Sequence, residues 1–132
     1  MKSTELKDYM LTRPITVHKN ADMGEAIGLI LDNKISGLCV IDDEGRLAGI
    51  LSELDCLRAM VSASYNVGGI GMVQDYMAND NLLVANPHEN IIDVAQDMLQ
   101  KNKRRRPVVE NGKLVGQITC RQLLSAVKDF SN

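Results

Sequence analysis

A chain of 132 residues with a formal net charge of -2 and 45% hydrophobic residues is long enough to bury one core and too apolar for disorder. The acidic balance, 3% aromatics and lack of Trp argue against nucleic-acid binding, and no apolar run reaches the ~18 residues of a membrane span. Cys39, Cys56 and Cys120 are widely spaced in apolar stretches, with no C-x-x-C pair and no nearby His. They are predicted to be small core residues of a reducing compartment, with no metal site. The start, Met1-Lys2-Ser3-Thr4-Glu5, leads into a charged segment rather than a signal sequence, so a cytoplasmic location is expected.

The chain reads as one pattern written twice. Leu6-Lys7-Asp8-Tyr9-Met10 returns as Val73-Gln74-Asp75-Tyr76-Met77. A short strand follows, Pro14-Ile15-Thr16-Val17 in the first copy and Asn81-Leu82-Leu83-Val84 in the second. The polar connections His18-Lys19-Asn20 and Asn86-Pro87-His88 come next, and neither histidine has a second ligand or nucleophile nearby, so neither is given a catalytic role. Met23, Ala26, Ile27, Ile30 and Leu31 then recur at helical spacing, as do Ile91, Val94, Ala95, Met98 and Leu99, with Asp22 and Asn90 as expected caps. Leu38-Cys39-Val40-Ile41 and Pro107-Val108-Val109-Glu110 are β-rich and enter hairpins, through a longer loop at Asp43-Glu44-Gly45 and a type I′ pair at Asn111-Gly112. Strands over 46–51 and 113–118 complete the hairpins, and helices over 53–61 and 120–128 close each copy. Residues 62–72, with Gly68, Gly69 and Gly71, are predicted to be a linker.

Each copy has a strand-to-helix corner, Leu47-Ala48-Gly49-Ile50-Leu51-Ser52-Glu53-Leu54-Asp55 and Leu114-Val115-Gly116-Gln117-Ile118-Thr119-Cys120-Arg121-Gln122. Ser52 and Thr119 are expected to cap the helices that begin there. Such a corner also presents unpaired N–H groups and a positive dipole end, which suit a phosphate or a ribose when neighbouring side chains assist.

The paired D-Y-M openings, the apolar-V-apolar-acid strand, the G-x-L-x-G hairpin arm and the S/T-x-x-D corner, which has Gln122 in place of the acid in the second copy, resemble in their order the cystathionine β-synthase (CBS) domain. Two in tandem resemble a CBS pair, or Bateman module, with repeats at 6–61 and 73–128 joined by the linker. The resemblance implies an α/β (α+β) fold of two β-α-β-β-α repeats packed in pseudo-twofold symmetry, with two central clefts. In the family such clefts bind AMP, ADP, ATP or S-adenosylmethionine, and many members regulate an attached enzyme, channel or transporter.

Carried over residue by residue, the favoured cleft joins Ser52 and Asp55, for the ribose, to Leu82, Leu83 and Val84, for the adenine, and to Arg104, Arg105, Arg106 and Pro107, for the phosphates. The second would combine Thr16, Val17, Ser36, Gly37 and Leu38 with Thr119, Arg121 and Gln122. There a neutral amide replaces the family's acid, and Cys39 stands where proline is usual. A carboxylate accepting from a cis-diol and arginines gripping a phosphate fit the chemistry. Blander roles exist for both: Asp55 is a first-turn acid and the run from Lys101 to Arg106 lies at a helix end, each complementing the dipole.

No G-x-x-x-x-G-K-[ST] loop, G-x-G-x-x-G turn or acid–base pair around a nucleophile occurs. The expectation is a non-enzymatic regulatory module that requires no cofactor, binds an adenine nucleotide or S-adenosylmethionine, forms a homodimer through its leftover helical faces and acts on a regulated protein partner. The alternatives are a structural dimerisation module with empty clefts and, against the composition, nucleic-acid binding through residues 101–106.

Overall fold

The computed structural model describes residues 3–65 and 68–130. Its helices begin where the sequence offers caps: Gly24 N–H donates to Asp22 Oδ2 at 3.0 Å and Ile92 N–H to Asn90 Oδ1 at 2.8 Å. These start α1 (Met23–Asn33) and α3 (Ile91–Gln100). Around them lie β1 (Thr16–His18), β2 (Gly37–Ile41), β3 (Leu47–Ser52) and α2 (Glu53–Tyr65), then β4 (Arg105–Glu110), β5 (Lys113–Thr119) and α4 (Cys120–Phe130). The fold is mixed α+β. No helix among the described residues is long and apolar enough to cross a membrane.

Two compact units form. One takes residues 15–82 and holds a sheet of order β1-β2-β3, with β1 and β2 parallel and β2 and β3 antiparallel. The other takes the residues up to Pro14 together with those from Leu83 on, and holds the antiparallel pair β4-β5. The first buries Val17, Met23, Ala26, Ile30, Leu38, Val40 and Leu51. The second buries Leu6, Ile91, Val94, Met98, Val108 and Ile118.

The units exchange openings. The turn Leu6–Asp8, from the first copy of the pattern, bonds to the second: Leu6 N–H donates to Glu89 O and Lys7 N–H to Pro87 O, at 2.9 and 2.8 Å. The turn Val73–Asp75 does the reverse, with Val73 N–H on Ala21 O at 2.9 Å and Gln74 N–H on Lys19 O at 3.0 Å. Each opening then adds a two-bond bridge to a hairpin arm, Leu11 with Gln117 and Ala78 with Ile50, all four bonds at 2.9 Å.

That contact explains the interior glycine of each arm. A Cβ on Gly116 would stand 2.8 Å from Leu11 O and 2.7 Å from Met10 Sδ, and one on Gly49 would stand 2.7 Å from both Ala78 O and Met77 Sδ. Only a residue without a side chain admits the opening segment there.

Several expectations need correction. Asn81-Leu82-Leu83-Val84 is not a strand: Asn81 takes a left-handed φ of 52°, and pairing shrinks to one parallel bridge, Ala85 with Val108. The second sheet therefore has two strands. The first strand starts at Thr16, and His18 ends it rather than lying in the connection. The helix α2 continues to Tyr65, through the start of the expected linker, whose Asn66 and Val67 lie outside the described residues. Leu31 and Leu99 turn outward, 69% and 81% exposed, because eight residues along a helix of this period carry the stripe off the buried side. Cys39 is buried, but Cys120 is exposed on the first turn of α4 and is not a core residue. The hairpin at Asn111-Gly112 has the two positive φ values, 53° and 81°, that a type I′ turn requires.

Candidate functional site

Both corners are closed by the same reciprocal pair of bonds. Asp55 N–H donates to Ser52 Oγ at 3.1 Å, and Ser52 N–H donates to Asp55 Oδ2 at 2.8 Å. In the other unit Gln122 N–H donates to Thr119 Oγ1 at 3.2 Å and Thr119 N–H to Gln122 Oε1 at 3.0 Å. These are capping boxes, so the third position after the hydroxyl residue needs an acceptor and not a charge. The acid of the first corner exceeds what the cap requires.

Asp55 is buried to 6% exposure, and its other oxygen, Oδ1, accepts from Nη2 of Arg58, one helical turn further on. The Arg58 side chain is 66% exposed, against 8% for that of Asp55. Sequence reading missed Arg58, although its i, i+3 spacing from Asp55 on an expected helix is a readable signal. At the same spacing after Gln122 stands Ser125, whose hydroxyl donates to Gln122 O at 2.6 Å.

Within the β1–β3 unit, the register sets Gly37 opposite Ser52 and Leu38 opposite Leu51, and Glu53 N–H bonds Ser36 O at 3.1 Å. This unit thus gathers Ser36, Gly37, Ser52 and Asp55 at one sheet end. Val17 and Leu38, assigned to the second cleft, bury their side chains in the core at 3% and 2% exposure, which leaves them only backbone to offer. Thr16 and Leu82 are half-buried.

In the β4–β5 unit, Arg105 pairs in register with Thr119, and Cys120 N–H bonds Arg104 O at 2.9 Å. Arg104, Arg105, Thr119 and Gln122 therefore share one end of that sheet, beside the exposed Arg121. Leu83 is half-buried and Val84 is 42% exposed.

The three arginines separate. Arg104 is exposed; Arg105 and Pro107 lie on one face of β4, and Arg106 and Val108 on the other, by strand alternation. Arg106 is only 4% exposed, and its Nη1 lies 2.7 Å from Asp97 Oδ2 on α3. Its Nε and Nη2 are buried without a partner among the described residues. Lys101 Nζ also donates to Asp97, at 2.8 and 3.0 Å, and its hydrogen bond, followed by that of Arg106, holds the Asp97 carboxyl below the usual range. The basic run is thus part surface, part buried ion pair.

Among the described residues no group of three His, Cys, Asp or Glu could hold a metal ion. His88 instead bridges Glu5 at 3.5 Å and Glu110 at 3.3 Å, and His18 Nε2 sits 2.6 Å from Asp43.

Two capped corners on exchanged α+β units define a tandem-repeat module. The family model for the CBS domain matches residues 6–62 and 73–129, and the chain belongs to that family as a tandem pair. An uncharacterized protein of Methanocaldococcus jannaschii is 35% identical over 114 residues, which are 86% of this chain and 39% of that protein, so the chain spans well under half of that relative. The fold matches the crystal structure of CBSX2 in complex with AMP, with a TM-score of 0.85, 29% identity and coverage of 98% of this chain and 100% of that one. It also matches the CBS domain pair of protein MJ0100 in complex with 5′-methylthioadenosine and S-adenosyl-L-methionine, with a TM-score of 0.77, 26% identity and 98% coverage of each chain.

Proposed function

We propose that the chain is a regulatory module that binds an adenosine-containing ligand and catalyses no reaction of its own. The observation that carries this reading is the likeness of almost the whole chain to CBS pairs crystallised with AMP and with S-adenosyl-L-methionine. The Ser52–Asp55 corner supports it, because it keeps a carboxylate where the cap would accept an amide.

In this reading Asp55 accepts from the ribose hydroxyls and Ser52 lies beside the sugar. Arg104 and Arg105 take the phosphates, Leu82, Leu83 and Val84 serve the adenine, and Pro107 shapes the strand behind them. Arg106 is left to Asp97. The set of Thr16, Ser36, Gly37, Thr119, Arg121 and Gln122 binds more weakly, since a neutral amide offers a diol no charge-assisted bond.

The exposed Leu31, Leu57, Met60, Leu99, Leu124 and Val127 support a homodimer through helical faces. The regulated protein is met in the cytoplasm.

A thermal-shift screen with adenosine, AMP, ADP, ATP and S-adenosylmethionine tests the reading. A ligand at a hundred times its dissociation constant stabilises by about 2.7 kcal/mol, several degrees for a chain of this size. No shift with any of the five would leave a structural module.

A further inference from the structure

Each oxygen of the Asp55 carboxylate accepts a hydrogen bond from within the chain, and the two are held differently. Oδ2 accepts from the backbone of Ser52, which cannot withdraw without opening the cap. Oδ1 accepts from Arg58, a long and largely exposed side chain that can leave at little cost. A sugar hydroxyl reaching for Asp55 therefore meets Arg58 first.

The two repeats argue that Arg58 is no part of the cap. Thr119 and Gln122 build the same box with Ser125 at the matching place, and the Ser125 hydroxyl is satisfied by its own helix. The acid and the cation occur together in one corner, and the amide and the hydroxyl occur together in the other. At this helix position, three residues after the capping side chain, a cation stands only in the corner that carries the acid.

We propose that Arg58 is a placeholder on the sugar-binding oxygen of Asp55, displaced by the ligand and then re-partnered by the ligand's own phosphate. This rests on the adenosine-ligand reading and adds a selection rule to it. A nucleoside must break the Asp55–Arg58 pair and gives the guanidinium nothing in return, whereas a nucleotide supplies a new anion. Arg58 thus biases the site toward phosphorylated adenosine compounds without being required for the sugar contact.

The test is titration calorimetry of adenosine and AMP with the parent, Arg58→Ala and Arg58→Lys, at low and moderate salt. Removing the competing pair should tighten adenosine about two- to fivefold, while AMP stays within about twofold, so the preference for AMP shrinks. Adenosine affinity of the parent should rise with salt as the pair is screened, and that of Arg58→Ala should not. Arg58→Lys keeps the charge and should behave like the parent. The capping box survives in both variants, so unchanged thermal melts verify the fold. Adenosine bound equally or more weakly by Arg58→Ala overturns the placeholder while leaving the ligand reading intact. No binding of either compound to parent or variant overturns both.

Discussion

Arg106 and Asp97 form an ion pair at the two places that the repeat pattern gives, in its first copy, to Leu38 and Leu29. Each strand residue directly precedes Pro107 or Cys39, and each helix residue directly precedes the buried Met98 or Ile30. One unit thus has apolar side chains of a single core cluster where the other sets charges, and the charged version leaves Arg106 Nε and Nη2 buried without a partner among the described residues. Breaking such a pair from the exposed side is the damaging change. Asp97→Leu should be the more destabilising of the two single changes, because a buried guanidinium loses its counter-ion. Arg106→Leu leaves Asp97 partly exposed and still bonded to Lys101, so its effect should be under about 1 kcal/mol. The double change to Leu should be at least as stable as the parent. Urea unfolding of the four proteins checks the order, which fails if Arg106→Leu is the worse single variant.

The same carboxyl gives the acid limb a direction. Its folded-state pKa is lowered by Lys101 and then Arg106, so its contribution is present above the unfolded value and disappears as pH falls through the folded one. Asp97→Asn should be less stable than the parent at neutral pH, and the gap should close as pH falls below the carboxylate range near 4. A gap independent of pH would remove the linkage.

Gly49→Ala and Gly116→Ala should each destabilise by about 1 to 3 kcal/mol, since the added carbon meets a backbone oxygen that cannot give way. Gly28→Ala is the control: nothing lies within 4 Å of its would-be Cβ on α1, and it should stabilise by about 0.5 to 1 kcal/mol. Thermal melts of the three variants suffice.

For the ligand, Asp55→Gln is the informative change, because it installs the capping residue of the other corner. It should keep the ligand-free melting temperature and weaken adenosine and AMP by about 1.5 to 3 kcal/mol. Asp55→Ala also strips the cap and should lose about 1 kcal/mol of stability besides, so binding losses there are mixed. Arg104→Ala with Arg105→Ala should weaken AMP and spare adenosine. Adenosine bound to Asp55→Gln as to the parent would sever the acid from the sugar.

Much of this was legible in the residues. The caps Asp22 and Asn90, the turn at Asn111-Gly112 and the Ser52 and Thr119 corners follow from local chemistry, and local chemistry is what sequence displays. The burial of Arg106 is not legible in the run of arginines, because strand alternation turns it away from Arg105 and only the fold brings Asp97 to it. Asn81-Leu82-Leu83-Val84 has a strand's composition without a neighbour to pair with, which composition cannot report. The glycines at 49 and 116 were visible, but their purpose depends on a segment arriving from the other copy of the pattern.

That exchange of openings means the chain cannot be halved at its repeat boundary. A break near Gly68 would leave each half carrying the strip that finishes the other: the first keeps Leu6, which bonds to Glu89, and Leu11, which bonds to β5, and the second keeps Val73, which bonds to Ala21, and Ala78, which bonds to β3. A lone repeat is an unfinished unit with a bare hairpin arm and a glycine notch. The exchange is a domain swap closed within one molecule, and each unit needs both halves of the chain to be complete.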